Sequence, residues 1–440
     1  MRLQFFGFSA FRWSVCAIIV AFPLSSFASE GFAELLPRAR DNDSEYRAAA
    51  SARDAGLQAR VAGRALLMPN ASVTYEAGGS GLTREYSNGA LPLSNEANSR
   101  SWTWRVSQPL FSLERWSTWK EEDARSILAE LNFAAFETEM VLRLARAVFD
   151  TLLAVDSLRL ARAQHTTMIA QRQDAENLRK AGVLTLTDVE DTRARELSAK
   201  AGEIEAEFGH QMRRRELERI VGVIGADSPK PINFGGMGPA LPNDINIWLD
   251  RVRDANPKVV AATAALQLAA HGVARTKAAH YPTVDLVASG TRTQNPNSYT
   301  TLERSEGVAV RVTIPIFEGG RTESSAVRAA ALREQSRQDL NTTVRDAEVK
   351  TTEAFLGLVN SSGKIDALAQ ALVAAKTSLA GATAGRLAGL RTHTEVLNAH
   401  QQVFSVERDL NKERYTYALA SLQLKALAGQ LKDEDFAALN

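Results

Sequence analysis

Ile314-Pro315-Ile316-Phe317-Glu318-Gly319-Gly320-Arg321 is the stretch on which the reading of the fold turns. Gln108-Pro109-Leu110-Phe111, followed by Arg115, stands 206 residues earlier in the same pattern. In both places an alternating apolar run leads in and a long proline-free tract leads out. There is no proline from Leu110 to Ser228, and none from Ile316 to Asn440.

Working outward, the echo extends over both halves of the chain. Ala181-Gly182-Val183 returns as Ala388-Gly389-Leu390, and Gly222 as Gly429, at an offset of 207. Arg38-Ala39-Arg40-Asp41 returns as Arg251-Val252-Arg253-Asp254, and Pro69 as Pro282, at an offset of 213. A shift of seven that occurs once, between Pro69 and Pro109, is an insertion in a loop of a tandem repeat. The expected organisation is a first repeat at 29–228 and a second at 246–440. Between them, 229–245 is an irregular linker rich in proline and glycine.

Each half reads as helix, two strands, long helix, shorter helix. Trp116 to Ala181 holds 66 residues without glycine or proline, about 100 Å as a continuous helix. Its apolar positions step by four and three: Ile127, Leu131, Ala134, Thr138, Val141, Ala145, Val148, Leu152, Val155. The second half repeats the rhythm from Leu340 through Ala347, Thr351, Leu358 and Ser361 to Leu379. A last seam runs from Val396 through Val403, Leu410 and Glu413 to Leu427. A sustained 3.5-residue period means helices packed side by side as in coiled coils. Long helices are expected at about 116–222 and 322–429. No compact globule is 100 Å long, so the molecule is elongated.

The runs between the prolines alternate with period two. Ala71, Val73, Tyr75 and Ala77 face one way, as do Trp102, Trp104 and Val106, then Val284, Leu286 and Ala288, then Val308, Val310, Val312 and Ile314. Two hairpins are expected, at about 70–108 and 283–314. Gly78–Arg100 and Gly290–Glu306 are read as their polar connecting loops. Each apolar run is close to the length that crosses a bilayer as a tilted strand. Trp102 and Trp104 fit either a membrane-interface anchor or a core position. Four strands cannot close a barrel, and open edges do not survive in lipid, so a membrane role requires several chains.

Met1 to Ala28 reads as a secretory signal peptide. Arg2 and Arg12 are basic, Trp13 to Phe22 is apolar, and Ser26-Phe27-Ala28 sets cleavage after Ala28. Its removal discards Cys16, the sole cysteine of the 440-residue chain, and leaves no disulfide or thiolate site. It also leaves 50 basic against 51 acidic residues, a net charge of −1 in place of +1. So balanced a charge argues against nucleic-acid binding. The 45% hydrophobic share argues against disorder. A mean hydropathy of −0.19 argues against a bundle of membrane helices. There is no Walker loop, dinucleotide fingerprint, His-Glu-x-x-His or nucleophile elbow. We therefore expect no enzyme, no cofactor and no metal. His393 and His400, seven residues apart, are too far apart along a helix for ordinary shared ligation.

The signal peptide, the duplicated helix–hairpin–long-helix plan, the segment Ile314–Arg321 and the turn from Ala388 together resemble the TolC-like outer-membrane factor family. The tail from Leu431 to Asn440 resembles that of its secretion-type members. The resemblance covers the mature chain. It implies a mainly α protein with membrane β-structure: a homotrimer with a 12-stranded barrel in the Gram-negative outer membrane, continued by an α-helical barrel into the periplasm. It implies a periplasmic adaptor and an inner-membrane transporter, of ATP-binding cassette type, as partners, and outer-membrane lipid as surroundings. The implied function is a channel-tunnel for type I secretion of a protein such as a repeat-containing toxin. The alternative is the outer-membrane component of a small-molecule or multidrug efflux pump.

By the same resemblance the turn Arg386–Asn398 is one of the tips that close the periplasmic end. The constricting acidic positions fall on Glu395 and Asn398. The latch arginine falls on Arg391, its partner on Thr187-Asp188, and an aromatic latch position on Arg386. The chain departs from the family pattern at three of these, with Glu for Asp, Asn for Asp and Arg for Tyr. Three Glu395 carboxylates around an axis would attract cations. Glu395 also reads as a helix-start residue favoured by the helix dipole.

Overall fold

The computed structural model describes residues 31–84, 87, 93–225, 229–232, 244–297, 300–432 and 435. The signal peptide with its Ala28 cleavage site, and most of the 229–245 linker, lie outside the described residues.

The chain runs α1 Phe32–Asn42, α2 Ser44–Ala65, β1 Asn70–Arg84, β2 Leu93–Ser112, α3 Leu113–Lys180 and α4 Leu186–Val221. It then repeats as α5 Ile245–Ala255, α6 Pro257–Ala278, β3 Thr283–Asn297, β4 Thr300–Thr313, α7 Arg321–Leu387 and α8 His393–Leu427. The opening helix of each half, read as one, is two. Asp43 ends α1 and caps α2, accepting from the Glu45 amide, and Asn256 ends α5 and caps α6, accepting from Lys258 and Val259. These residues are extended at ψ 115° and 124°, and the side-chain oxygen of each replaces the helical acceptor it interrupts. Asn256 then donates to Leu427 at 2.9 Å, tying the break to the end of α8.

At 68 and 67 residues, α3 and α7 are each about 100 Å long. Each folds back on the helix after it, α3 on α4 and α7 on α8, while α2 and α6 flank α3. The second-half seam is buried as its period requires: Ala347, Thr351, Ala354, Leu358, Ser361 and Ala375 on α7 face Val396, Val403, Val406, Leu410, Ala420 and Leu424 on α8. The seam's polar pair meets directly, Ser361 donating to Glu413 at 2.6 Å. A satisfied polar pair inside an apolar seam fixes its register. On α3 the seam is buried from Val141 to Leu152, but Ile127 and Val155 are 40% and 42% exposed. Met140, Leu144, Thr151 and Leu158 are buried beside it. The buried stripe of α3 is widest at mid-height, where α1, α4 and α8 all pack on it.

The short helices close the waist. Phe32, Leu35, Leu36 and Ala39 of α1 join Leu144, Val148, Leu217, Val221, Tyr415 and Leu422 in the largest core. Trp248 of α5 fills the equivalent place among Ala354, Leu358, Leu424 and Ala428.

The four strands form one antiparallel sheet in the order β1-β2-β3-β4. They are longer than the apolar runs alone. Most of Gly78–Arg100 and Gly290–Glu306, read as connecting loops, is paired strand: Gly78 opposes Ser99, Thr83 opposes Ser94 and Thr291 opposes Ser305. Backbone pairing continues past the point where side chains stop being apolar, so alternation in hydropathy marks only part of each strand. Trp102 and Trp104 are 55% and 41% exposed, which settles them as surface rather than core residues.

Candidate functional site

The long helices turn at 181–185 and 388–392, and the two turns are built alike. Gly182 at φ 76° and Gly389 at φ 72° take the left-handed conformation that a side chain would strain. The next amides, Val183 and Leu390, reach back to Leu178 and Gly385 at 2.8 Å. These bonds satisfy carbonyls that the helix ends leave open. A threonine then starts each return helix. Thr185 accepts from the Asp188 amide at 3.2 Å while the Asp188 carboxylate accepts from the Thr185 amide at 2.9 Å. Thr392 and Glu395 do the same at 3.3 and 3.1 Å. Both are capping boxes. Asp188 and Glu395 are thus equivalent residues in the two repeats, each with a structural task inside its own chain. The hydrogen bonds from Thr185, side chain first and backbone second, hold the Asp188 carboxyl below its ordinary range.

The other sequence-derived candidates are distributed around these caps. Arg391, in the turn, pairs with Glu395 in the first turn of α8 at 3.5 Å; the arginine is exposed and the glutamate partly so. Thr187 is exposed beside Asp188. Asn398 accepts from Arg195 of α4 at 2.9 Å, and Arg195 also meets Asp191 at 3.2 Å. Arg386, with its side chain 19% exposed, crosses from α7 to Asp174 of α3 at 2.8 Å. Two ties therefore join one hairpin to the other at the tip: Arg386–Asp174, and Arg195–Asn398.

Asp174, Arg195 and His393 were not singled out for the tip from the sequence. Asp174 and Arg195 lie in mixed-charge helical stretches that carry no local signal. His393 repeats the position of Leu186, but Leu186 is 54% exposed, so the repeat does not foretell the burial of His393. The histidine is 5% exposed, and among the described residues neither ring nitrogen has a protein partner. Burial, followed by the Arg386 charge, pushes its pKa below the ordinary histidine value. Asp174, Asp188 and Asp191 pull the other way. His400 is lowered as well, by burial.

Chemically the tip offers fixed charges, hydrogen-bonded ties and one buried neutral base, at the end of a pair of helical hairpins about 100 Å from a sheet with two unpaired edges. Among the described residues no cluster of three or more His, Cys, Asp or Glu could hold a metal ion. No described helix is long and apolar enough to cross a membrane.

Comparison with known proteins agrees along nearly the whole length. The outer membrane efflux protein model matches residues 35–223 and 248–430, one block in each repeat. The chain is 30% identical over 404 residues to the alkaline protease secretion protein AprF of Pseudomonas aeruginosa, covering 90% of this chain and 84% of that one. It is 26% identical over 435 residues to the proteases secretion protein PrtF of Dickeya chrysanthemi, covering 95% and 92%. Its fold matches the CmeC outer membrane channel of Campylobacter jejuni with a TM-score of 0.80 at 12% identity, over 99% of this chain and 98% of that one.

Proposed function

The chain belongs to the outer membrane efflux protein family, as an outer-membrane channel with a periplasmic helical tunnel rather than an enzyme, and from that premise we propose that it is the exit duct of a type I protein secretion system. In this reading a protein substrate passes in one step from an inner-membrane transporter of the ATP-binding cassette type, through a tunnel completed by a periplasmic adaptor, to the cell exterior. The observation that carries it is the near full-length kinship with two protease secretion proteins, one at 30% identity.

The working unit of this reading is a homotrimer. Among the described residues β1 and β4 each leave one edge without a partner strand, and β4 is exposed along nearly its whole length. Unpaired backbone in lipid costs several kcal/mol per group, so the edges must be covered. Joining β4 of one copy to β1 of the next closes 12 strands from three copies, within the range of outer-membrane barrels. The apolar row Val308, Val310, Val312 then faces lipid, and the row carrying Arg105, Asp285 and Arg311 faces the lumen.

The helical tips form the gate. Glu395 rings and Asn398 rings line the constriction. Arg391 reaches Thr187-Asp188 of a neighbouring copy as a latch, and Arg386 ties hairpin to hairpin. The test of function is deletion of the gene, with culture-supernatant proteins and drug susceptibility measured together. Loss of a secreted protein, restored by the plasmid-borne channel, is the expected result. Unchanged secretion with new drug sensitivity overturns the secretion reading in favour of small-molecule efflux.

A further inference from the structure

One face of the sheet carries a basic patch in an unusual place. The strand registers put four rows on that face: Ala71, Val106, Ala288 and Val308; Val73, Trp104, Gly290 and Glu306; Tyr75, Trp102, Arg292 and Arg304; Ala77, Arg100, Gln294 and Leu302. Below them lie Leu286 with Val310, and Val284 with Val312. Below the third row the face is apolar except for Gln108 and Glu306. In the third, Tyr75 and Trp102 stand ring against ring at 4.7 Å, next to Arg292 and Arg304.

Arg292 and Arg304 are directly opposite one another on adjacent strands. Like charges in that position destabilise a sheet. Both are exposed, as is Arg100 one row higher on the neighbouring strand. None of the three forms an ion pair with a described residue, although Glu306 lies one row away. Among the described residues nothing offsets this repulsion, and an external anion would.

Height identifies the anion. Arg304 is eight positions along β4 from Val312, about 27 Å of strand and about 20 Å of vertical height at the usual tilt. An outer-membrane apolar band is roughly 25 Å tall and is bounded by aromatic residues. The arginines thus sit with Tyr75 and Trp102 at the level where acyl chains give way to headgroups. Guanidinium groups bind phosphate by paired, charge-assisted hydrogen bonds.

We propose that Arg100, Arg292 and Arg304 form a binding site for the phosphate groups of lipid A in the outer leaflet, one site per chain. The site rests on the barrel reading given above, which turns this face to lipid. It fixes the depth of the channel in the membrane and screens the Arg292–Arg304 repulsion.

The purified trimer is titrated with bis-phosphorylated lipid A and with the same lipid dephosphorylated, bound lipid being read by native mass spectrometry. Wild type is expected to prefer the phosphorylated form by on the order of tenfold. R292Q/R304Q loses that preference, and R292K, which keeps charge but not the paired donors, falls between. R292Q removes a like-charge contact, so the heat-modifiable trimer persists and serves as the folding control. Equal binding of the two lipids by wild type, or wild-type preference in the double variant, overturns the site. Full competition by millimolar inorganic phosphate overturns its assignment to lipid. Quenching of Trp102 and Trp104 emission by brominated acyl chains is measured in parallel. Absent quenching overturns the barrel reading and the site together, whereas quenching with no phosphate preference overturns the site alone.

Discussion

Arg386 on α7 and Asp174 on α3, 212 positions apart in the chain, meet at 2.8 Å and tie the second helical hairpin to the first at the periplasmic tip. The arginine is mostly buried and the aspartate is partly open to solvent. The tie is therefore worth on the order of 1 kcal/mol, after solvent screening of its exposed half. If closure requires the two hairpins to stay together, weakening this pair opens the tip. Arg386→Ala and Asp174→Asn should each raise the closed-state conductance of the trimer in planar bilayers. The double variant should rise no further than the larger single effect, because both remove one interaction. Strictly additive effects would mean that the two residues act separately.

The Arg195–Asn398 contact makes the same prediction for the second tie. Asn398→Ala removes the acceptor at 2.9 Å and frees α8 from α4. Its effect on conductance should add to that of Arg386→Ala, since the two ties share no residue. Conductance equal to wild type in Asn398→Ala would exclude a role in holding the tip closed.

Acid should loosen the tip through His393. Its pKa is depressed by burial and by Arg386, while Asp174 on α3 and Asp188 and Asp191 on α4 resist the depression. The packed tip thus binds fewer protons than a parted tip, in which the imidazole returns to its ordinary value near 6.5. The stabilisation is complete above that value and is lost progressively as pH falls from about 6.5 toward the depressed pKa. Conductance of the closed channel should therefore rise between pH 7.5 and 5.5. His393→Leu, which restores the apolar character of the equivalent Leu186, should flatten the profile. A profile of unchanged slope in that variant would assign the acid response to other groups.

How much of this was legible in the sequence follows from how far each signal survives on the chain. The seam from Leu340 to Leu379 could be read because a 3.5-residue period persists over many turns, and even its polar member Ser361 proved to pair with Glu413, the polar member of the facing seam. The hairpins were legible where lipid demands alternation and illegible where it does not. Val308 to Val312 announced a strand, while the equally paired Thr300 to Ser305 did not. The family resemblance led to Arg386, Arg391, Glu395 and Asn398, but not to what holds them. Asp174 and Arg195 act across helices brought together only by folding, and neither differs in type from the solvated charges around it. The burial of His393 was not legible even through its repeat partner, since Leu186 is exposed.

Gly290 and Trp104 are directly opposed on β3 and β2, and the indole sits close against the glycine. A Cβ placed at Gly290 would stand 2.7 Å from Trp104 Cε2, with the indole nitrogen closer still. Gly290→Val should force the ring off its site and cost about 1–3 kcal/mol. The heat-modifiable trimer should then dissociate at a lower temperature, and Trp104→Ala placed in the same chain should recover most of the loss. A Gly290→Val trimer as heat-stable as wild type would mean that the ring moves freely and that the pair adds nothing to the sheet.

One pair of substitutions separates the capping task of Glu395 from its proposed role in the gate. Within a chain its carboxylate accepts from the Thr392 amide at 3.1 Å and closes a capping box. In the proposed gate, three copies place their charges around the axis. Glu395→Gln keeps an acceptor for the cap and removes the charge, and Glu395→Ala removes both. Each variant should lose cation preference in reversal-potential measurements, because preference depends on the ring of charge. Only Glu395→Ala should also weaken the start of α8, by about 1 kcal/mol, the ordinary worth of such a cap. Hydrogen exchange of the amides from His393 to Leu397 reads that difference directly. If Glu395→Gln keeps the cation preference of wild type, the carboxylate is a helix-start residue alone and the selectivity of the gate lies elsewhere.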